Sequence, residues 1–352
     1  MRRLVRHLSW ALLTAALAGC GTEQRGKVVF PPGGLALDST GRRDRSLLND
    51  TLIRIRTVGG ASDEDTTLVN PYLMAMDADQ VYLMEMDGRI LCYDTVGQLR
   101  WVQGKEGGGP GEFRGPRDIK VGPDGRVWIV DPPSGRITVL KRASGKVDTM
   151  MSLGVGHTEV LAPLGQRYAV FPPDGGADIE YFTSKGQKLG SDSLPWSGYH
   201  QLESLSRQLK AGVDRSSGHW AVGFIYGNGW FAYDSAGKAS NRRYYVEPTA
   251  FPPVIKQVRD GALITSLVRT PFAAIDIQVV HDTVFVLFDG KEPNRRRKVD
   301  LYDWATGKYH GSFVLPETAD NFGISGNLVV TYLSTPVPRL TYYRREKKAA
   351  RQ

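Results

Sequence analysis

Apolar and polar residues alternate with a period of two through much of the chain, and short apolar runs recur between glycine-containing turns; both patterns predict strands. The clearest stretch begins at Arg117. Arg117 to Val121 alternates, Gly122-Pro123-Asp124-Gly125 supplies a tight turn, Val127 to Val130 is an apolar run, Ser134-Gly135 turns again, and Ile137 and Val139 alternate with polar neighbours. This is most of a four-stranded antiparallel sheet. One such sheet cannot bury its own faces, so its stability requires that the unit recur and stack around an axis.

The unit does recur. Inner strands are expected near Tyr72, Arg117, Thr158, Gln208, Ala273 and Asn321, and middle strands at Val81 to Met84, Val127 to Val130, Tyr168 to Phe171, Trp220 to Phe224, Val284 to Phe288 and Leu328 to Tyr332. A spacing of roughly 40 to 60 residues is that of propeller blades. The last unit lacks a fourth strand, because only a basic tail follows Arg339 to Tyr343, whereas Thr51 to Gly59 is an alternating strand with no unit of its own. If that strand becomes the outermost strand of the last unit, the ring closes and no sheet edge is left exposed. The expected fold is all-β, a six-bladed β-propeller over residues 51–346 closed by its N-terminal strand, with 347–352 as a basic tail.

The chain resembles six-bladed β-propellers of the NHL-repeat type, in particular the bacterial lipoprotein branch. The resemblance is carried by Gly104, by Gly107 to Phe113 before an inner strand, by Pro123 to Asp131, and by Arg136-Ile137-Thr138-Val139. These residues fit the second unit closely. Units three to six lack the Pro-Gly-Glu-Phe and Asp-Gly signatures, so the likeness there is architectural.

Arg2, Arg3 and Arg6 precede an apolar segment, Leu8 to Leu17, too short for a permanent membrane span, and Leu17-Ala18-Gly19-Cys20 follows it. This resembles a bacterial lipobox and implies a signal peptide over 1–19 and lipid on Cys20. With no Asp after the cysteine, the outer membrane of a two-membrane envelope is the expected address. An ordinary secretory signal cut near Ala18 and a twin-arginine reading of Arg2-Arg3 are the alternatives. Residues 20–50, rich in Gly, Ser, Arg and Asp, are expected to act as a tether. Scattered leucines, Leu35, Leu37, Leu47 and Leu48, also suit an ordered wrap along the propeller side.

The full chain carries 45 Lys and Arg against 37 Asp and Glu, a net charge of +8, and removing three arginines with the leader leaves +5. The excess concentrates at Arg295-Arg296-Arg297-Lys298 and from Arg344 to Arg351. Such runs suit a solvated face, acidic lipid headgroups or a polyanion. Nucleic acid is not an expected partner, since no aromatic residues interleave them. With Cys20 lipidated, only Cys92 remains, in the apolar strand Ile90 to Tyr93, and it is expected to be a small buried residue.

Two insertions interrupt the repeat. Leu202, Leu205 and Leu209 have helical spacing within Tyr199 to Leu209, and Glu247 to Thr270 holds an extra hairpin over Val254 to Val258 and Ala262 to Val268. Both fall where one blade passes to the next, around one mouth of the channel. Glu112, Arg114, Arg117 and Asp118 border the same connections and are the candidate binding residues. Polar inner-strand residues expected to face the channel are Asp77, Arg117, Asp118, Lys120, Asp276, Gln278 and Asn321.

Catalytic signatures are not apparent. His157, His200, His219, His281 and His310 lack metal-ligand spacing, and neither Asp63-Glu64-Asp65 nor Asp174 to Asp178 has the form of a calcium loop. Gly107 to Gly111 precedes a strand and lacks the Lys-Ser/Thr end of a phosphate cradle. No cofactor is expected. Two functions follow. One is a noncatalytic module, anchored to a membrane through Cys20, that binds a protein, peptide or glycan at its mouth. The other is a hydrolase or lyase, similar to lactonases or NHL-type lyases, with a divalent metal in the channel.

Overall fold

The computed structural model describes residues 27–32, 40, 43–61, 68–153, 160–172, 178–247, 249–259, 262–268, 270–290 and 295–347. Cys20 and the apolar leader lie outside the described residues, as do Asp63-Glu64-Asp65, His157 and all of the Asp174 to Asp178 loop except Asp178 itself.

Two strands, β1 (Lys27–Val29) and β2 (Thr51–Gly59), precede the repeating sheets. The first sheet runs in chain order through β3 (Pro71–Met76), β4 (Gln80–Glu85), β5 (Ile90–Asp94) and β6 (Leu99–Gln103). The second contains β7 (Asp118–Val121), β8 (Val127–Asp131), β9 (Arg136–Leu140) and β10 (Val147–Ser152), and the third β11 (Leu161–Pro163), β12 (Arg167–Val170), β13 (Ile179–Thr183) and β14 (Lys188–Asp192). The fourth has three strands, β15 (Leu209–Val213), β16 (Trp220–Phe224) and β17 (Trp230–Tyr233); isolated bridges from Trp230 to Arg243 and from Tyr233 to Ala239 hold the following segment along its edge.

An inserted hairpin, β18 (Val254–Arg259) and β19 (Ala262–Leu267), follows, and β1 pairs with β18 to make a small separate sheet. The fifth sheet contains β20 (Asp276–Val280), β21 (Thr283–Phe288), β22 (Lys298–Asp303) and β23 (Tyr309–Val314), and the sixth β24 (Asn321–Ser325), β25 (Leu328–Leu333) and β26 (Arg339–Glu346). The outer neighbour of β26 is β2, paired antiparallel from Thr51 opposite Glu346 to Gly59 opposite Arg339. The alternating N-terminal strand thus completes the sheet made by the end of the chain. Asp50 and Arg345, both buried, form an ion pair at 2.5 Å beside this seam.

The innermost strands β3, β7, β11, β15, β20 and β24 neighbour one another in that order, and β24 also lies beside β3. Apolar clusters fill the spaces between successive sheets. Ile119, Val127 and Ile129 pack on Tyr82 and Met84; Trp128 and Val139 on Tyr168; Trp220 and Phe224 on Phe171; Trp230 on Ile277 and Tyr302; Phe322 and Val329 on Leu287 and Phe313; and Tyr332, Leu340 and Tyr342 on Val81, Leu83 and Tyr93. Each middle strand is therefore apolar on both faces, as its sequence suggests. Burial pushes the Cys92 thiol up to about 12, in keeping with an inert core residue. Where β15 passes β20, a Cβ on Gly212 would lie 2.6 Å from the Ile277 carbonyl oxygen, so that approach requires glycine.

Carboxylates at the ends of second strands tie down the connections. Glu85 accepts the Val69 amide at 2.7 Å, Asp131 those of Arg114 and Gly115 at 3.0 and 3.1 Å, and Asp289 that of Phe272 at 3.1 Å. Each otherwise orphaned loop N–H is satisfied within its own sheet.

Candidate functional site

In each sheet the first strand runs away from the loops that join sheets. The six inner strands therefore surround an axis with a connection side and a turn side. Near the connection side stand the first residues of β7, β20 and β24, which are Asp118, Asp276 and Asn321. One residue deeper on β15 is Lys210, and two residues deeper on β7 and β20 are Lys120 and Gln278.

These groups form a buried network of mixed charge. Lys120 Nζ lies 3.2 Å from Asp118 Oδ1, and the other Asp118 oxygen accepts the Leu161 amide of the third sheet at 3.0 Å. Asp276 accepts its neighbour's amide, Ile277 N, at 2.9 Å and Gln278 Nε2 at 2.8 Å. Burial pushes the Asp276 carboxyl up, against the pull of Lys120 from the second sheet and of Lys210 on the neighbouring β15. Burial opposes the Lys120 ammonium, but Asp118 and Asp276 outweigh it and hold its pKa above the ordinary value. A divalent cation does not suit this donor set. The two carboxylates are already engaged by amides, and two ammonium groups act on the same space. Among the described residues no three His, Cys, Asp or Glu converge as a metal cluster.

The turn side is closed by long side chains. Asp77, buried at the end of the first inner strand, receives Arg142 Nε from the second sheet at 2.7 Å and also pairs with Arg215 of the fourth. Arg215 Nε reaches the Gly122 carbonyl of the second sheet at 3.0 Å as well. One guanidinium thus ties the fourth sheet to the first two. On the same side His219 stacks on Trp304 at 3.7 Å, with Nδ1 2.7 Å from Asp282, fastening the fourth sheet to the fifth.

The connection side is built outward. Tyr199 to Leu209 does not form one α-helix; it makes two 3-10 turns, Ser197–Gln201 and Ser204–Arg207, in extended chain. Leu202 and Leu209 are buried beneath them, so helical spacing reported burial correctly but not a continuous helix. The second insertion is the expected hairpin, β18 and β19. The two meet: Ser206 Oγ donates to the Pro252 carbonyl at 2.9 Å, Lys256 pairs with Glu203 at 2.8 Å, and Trp196 stacks on Phe251 at 5.8 Å. Together they form one cap over the third to fifth sheets. Its outer surface carries exposed Phe30 (70%), Leu263 (66%), Val258 and Ile264.

The expected mouth residues separate into two settings. Glu112 turns back into its own loop, accepting the Gly109 amide at 2.7 Å and pairing with Lys105 at 3.1 Å, and these contacts hold its carboxyl below the usual range. Arg136 further stitches that loop by donating to the carbonyls of Gly108 and Gly109 at 2.9 and 2.8 Å. Glu112 lines a groove of about 360 Å³ between the first two sheets, with Pro110, Phe113 and Val147. Arg114 is exposed beside Gly108, with its amide held by Asp131. Arg117 is exposed at the head of β7, where it acts on the phenol of Tyr72. Asp118 lies in the axial network with Lys120, Asp276 and Gln278, which are also among the residues expected to face the channel. Lys210, Arg142 and Arg215 were missed.

The residues 20–50, expected to act as a tether, include ordered contacts. Besides β1, Arg45 donates to both Asp300 oxygens at 2.9 Å, Leu48 N donates to the Ser312 carbonyl at 2.7 Å, and Asn228 Nδ2 donates to the Thr40 carbonyl at 2.7 Å.

No family model matches the sequence, and no curated protein matches it. Among solved structures the fold is similar to selenomethionine-substituted virginiamycin B lyase from Staphylococcus aureus. The TM-score is 0.50 at 12% identity, covering 84% of this chain and 99% of that one. A catalytically inactive variant of that enzyme with quinupristin gives a TM-score of 0.48 at 11% identity, covering 83% and 99%. The chain is an all-β protein with the architecture of a β-propeller.

Proposed function

We propose that the protein is a lipid-anchored, six-bladed β-propeller outside the cytoplasm that binds a protein, peptide or glycan at its connection side without catalysing a reaction. The cyclic neighbourhood of the six inner strands and the apolar cluster between sixth and first sheets support the six-bladed ring. Gly107 to Phe113 and Pro123 to Asp131 support its kinship with NHL-type propellers, and Leu17-Ala18-Gly19-Cys20 supports lipid attachment and an outer-membrane address.

The observation that carries the binding reading is the fused cap. Its two insertions are held to each other by a hydrogen bond, an ion pair and an aromatic stack, yet its outer strands leave large apolar side chains uncovered. A rigid, partly apolar rim beside a polar axis is the form expected of a recognition surface. A photo-crosslinking residue at Ser266, on the cap, should capture a partner in intact cells, whereas one at Ala305, on the turn side, should not. Equal labelling at both positions overturns the reading. For the anchor, Cys20→Ser should release the protein from the membrane fraction, and an unmodified Cys20 in the mature wild type would end that part of the proposal.

A lyase is the second reading, favoured by the likeness in fold to virginiamycin B lyase and by Lys120, partly buried and under the influence of Asp118 and Asp276. Incubation with virginiamycin B followed by mass spectrometry tests it, with Lys120→Met as the control variant. Because an elimination that opens a ring leaves an isomer of the same mass, a retention time and a fragmentation pattern both unchanged after prolonged incubation remove this reading.

A further inference from the structure

The arginine run at 295–298 is not spread over a solvated face. Arg295, Arg296 and Arg297 turn inward with Arg339 around a cavity of about 540 Å³ on the connection side, between the fifth and sixth sheets. The size suits a small-molecule site, and among the described residues Leu333 is the one apolar side chain in the lining.

The carboxylates around the cavity are already occupied. Glu317 accepts Arg339 Nε and Nη2 at 2.9 and 2.6 Å on one oxygen, and Thr341 Oγ1 and Tyr343 Oη at 2.9 and 2.7 Å on the other. Asp320 accepts Arg296 Nη1 at 2.5 Å and the Ser334 amide and hydroxyl at 2.8 and 2.5 Å. Asp289, behind them, accepts Arg295 and Arg296 as well as the Phe272 amide. The acids therefore serve to fix the guanidinium groups.

Donors remain. Arg297 uses Nε on the Leu315 carbonyl at 2.9 Å, and among the described residues nothing accepts from its two Nη atoms. Arg296 is held with a left-handed backbone, φ 53°, a conformation that costs a non-glycine residue energy and that a simple surface turn would assign to glycine or asparagine. Fixed, planar donors facing a polar cavity with its acceptors spent are complementary to an incoming oxyanion.

We propose that this cavity binds a small polar molecule bearing a carboxylate, phosphate or sulfate, with Arg297 as the principal contact and Arg296 and Arg339 beside it. The volume leaves room for a hydroxylated body of sugar size next to Thr318 and Thr335. The site is separate from the cap and does not depend on what the cap recognises.

Isothermal titration of the full-length protein with glucose 6-phosphate, glucuronate and glucose tests this. Binding of at least one anionic sugar and none of glucose is expected. Arg297→Met should weaken it by about tenfold or more, the loss of a charged hydrogen bond. Arg297→Lys should retain part of it, and Arg54→Gln, on the exposed face of β2, should leave it unchanged. Equal affinity for glucose, or an affinity unaltered in a folded Arg297→Met protein, overturns the proposal. If Arg297→Met does not fold, the lysine variant decides: affinity identical to wild type rejects planar recognition by Arg297. Phosphatidylglycerol vesicles form a further arm, and binding to vesicles without binding to either soluble anion would assign the arginines to a membrane surface and overturn the small-molecule site.

Discussion

The two ends of the molecular axis use charge in opposite ways. On the turn side Asp77, Arg142 and Arg215 come from three sheets and satisfy one another, so their charges are spent on holding the sheets together. On the connection side the chain is spliced outward into a cap, and a neighbouring cavity is ringed by arginines, of which Arg297 keeps its Nη donors unmatched among the described residues. The turn side fastens, and the connection side is left with surfaces to offer. Propellers that bind ligands by their inter-blade loops need such a division, because variation at one mouth is tolerable only when the other fixes the ring.

The most severe way to break this contrast is to open the array. Deleting β2 together with Asp50 should expose β26 and remove the buried Asp50–Arg345 pair, so that both ends lose their frame and the cooperative melting transition is largely abolished, a loss of several kcal/mol. Removing residues 27–32 should cost far less. If the two truncations melt alike in calorimetry, β2 does not close the ring. Next in size is Asp77→Ala, which removes the buried carboxylate shared by Arg142 and Arg215 and leaves them only Asp79 and the Gly122 carbonyl. With the arginines about a third exposed, the expected cost is about 2–3 kcal/mol in chemical denaturation, with partner cross-linking at the cap preserved.

Glu317→Gln should cost about 1–2 kcal/mol at neutral pH, since it weakens three partners on β26. Burial alone would raise the Glu317 carboxyl, but Arg339, Tyr343 and Thr341 together hold it below the usual range. A depressed carboxyl contributes stability above its unfolded value of about 4.5 and loses it as pH falls through the lower folded value. The gap between wild type and Glu317→Gln should therefore narrow below that pH, and a constant gap would assign the effect to packing. Smallest of all, Val258→Ser with Leu263→Ser should change stability by less than about 0.5 kcal/mol while abolishing cross-linking from Ser266. Retained cross-linking would blur the distinction between the two ends.

Much of the frame was legible in sequence because its signals are local. Gly122-Pro123-Asp124-Gly125 and the apolar run Val127 to Val130 set two strands and their turn, and the middle strands of all six sheets fall where the short apolar runs predict them. A further local signal went unread. Tyr93-Asp94 to Gly97 and Tyr233-Asp234 to Gly237 repeat one turn after the third strand, and Tyr302-Asp303 to Gly307 is a version one residue longer; in each the aspartate accepts an amide beyond it and the glycine has positive φ. The polar axis was partly foreseen, since inner-strand position places Asp118, Lys120, Asp276 and Gln278 together. Arg142 and Arg215 were not, because they sit in ordinary hairpin turns and act only by reaching into other sheets. Glu112 shows the converse: its loop looks like a mouth in sequence, but a short turn with three glycines consumes its carboxylate locally.

The pairing of β2 with β26 also fixes when the molecule can be finished. Asp50 and Arg345 are 295 residues apart, so the sixth sheet cannot acquire its outer strand until β26 has been made. Until then β2 waits without its partner and the earlier sheets stack with an open seam, the slow, long-range step of a topology dominated by distant contacts. A chain that stalls or is clipped before β26 cannot seal, and its exposed strand edges would mark it for proteolysis. The β2–β26 seam thus makes the outer strand of the sixth sheet depend on synthesis through β26.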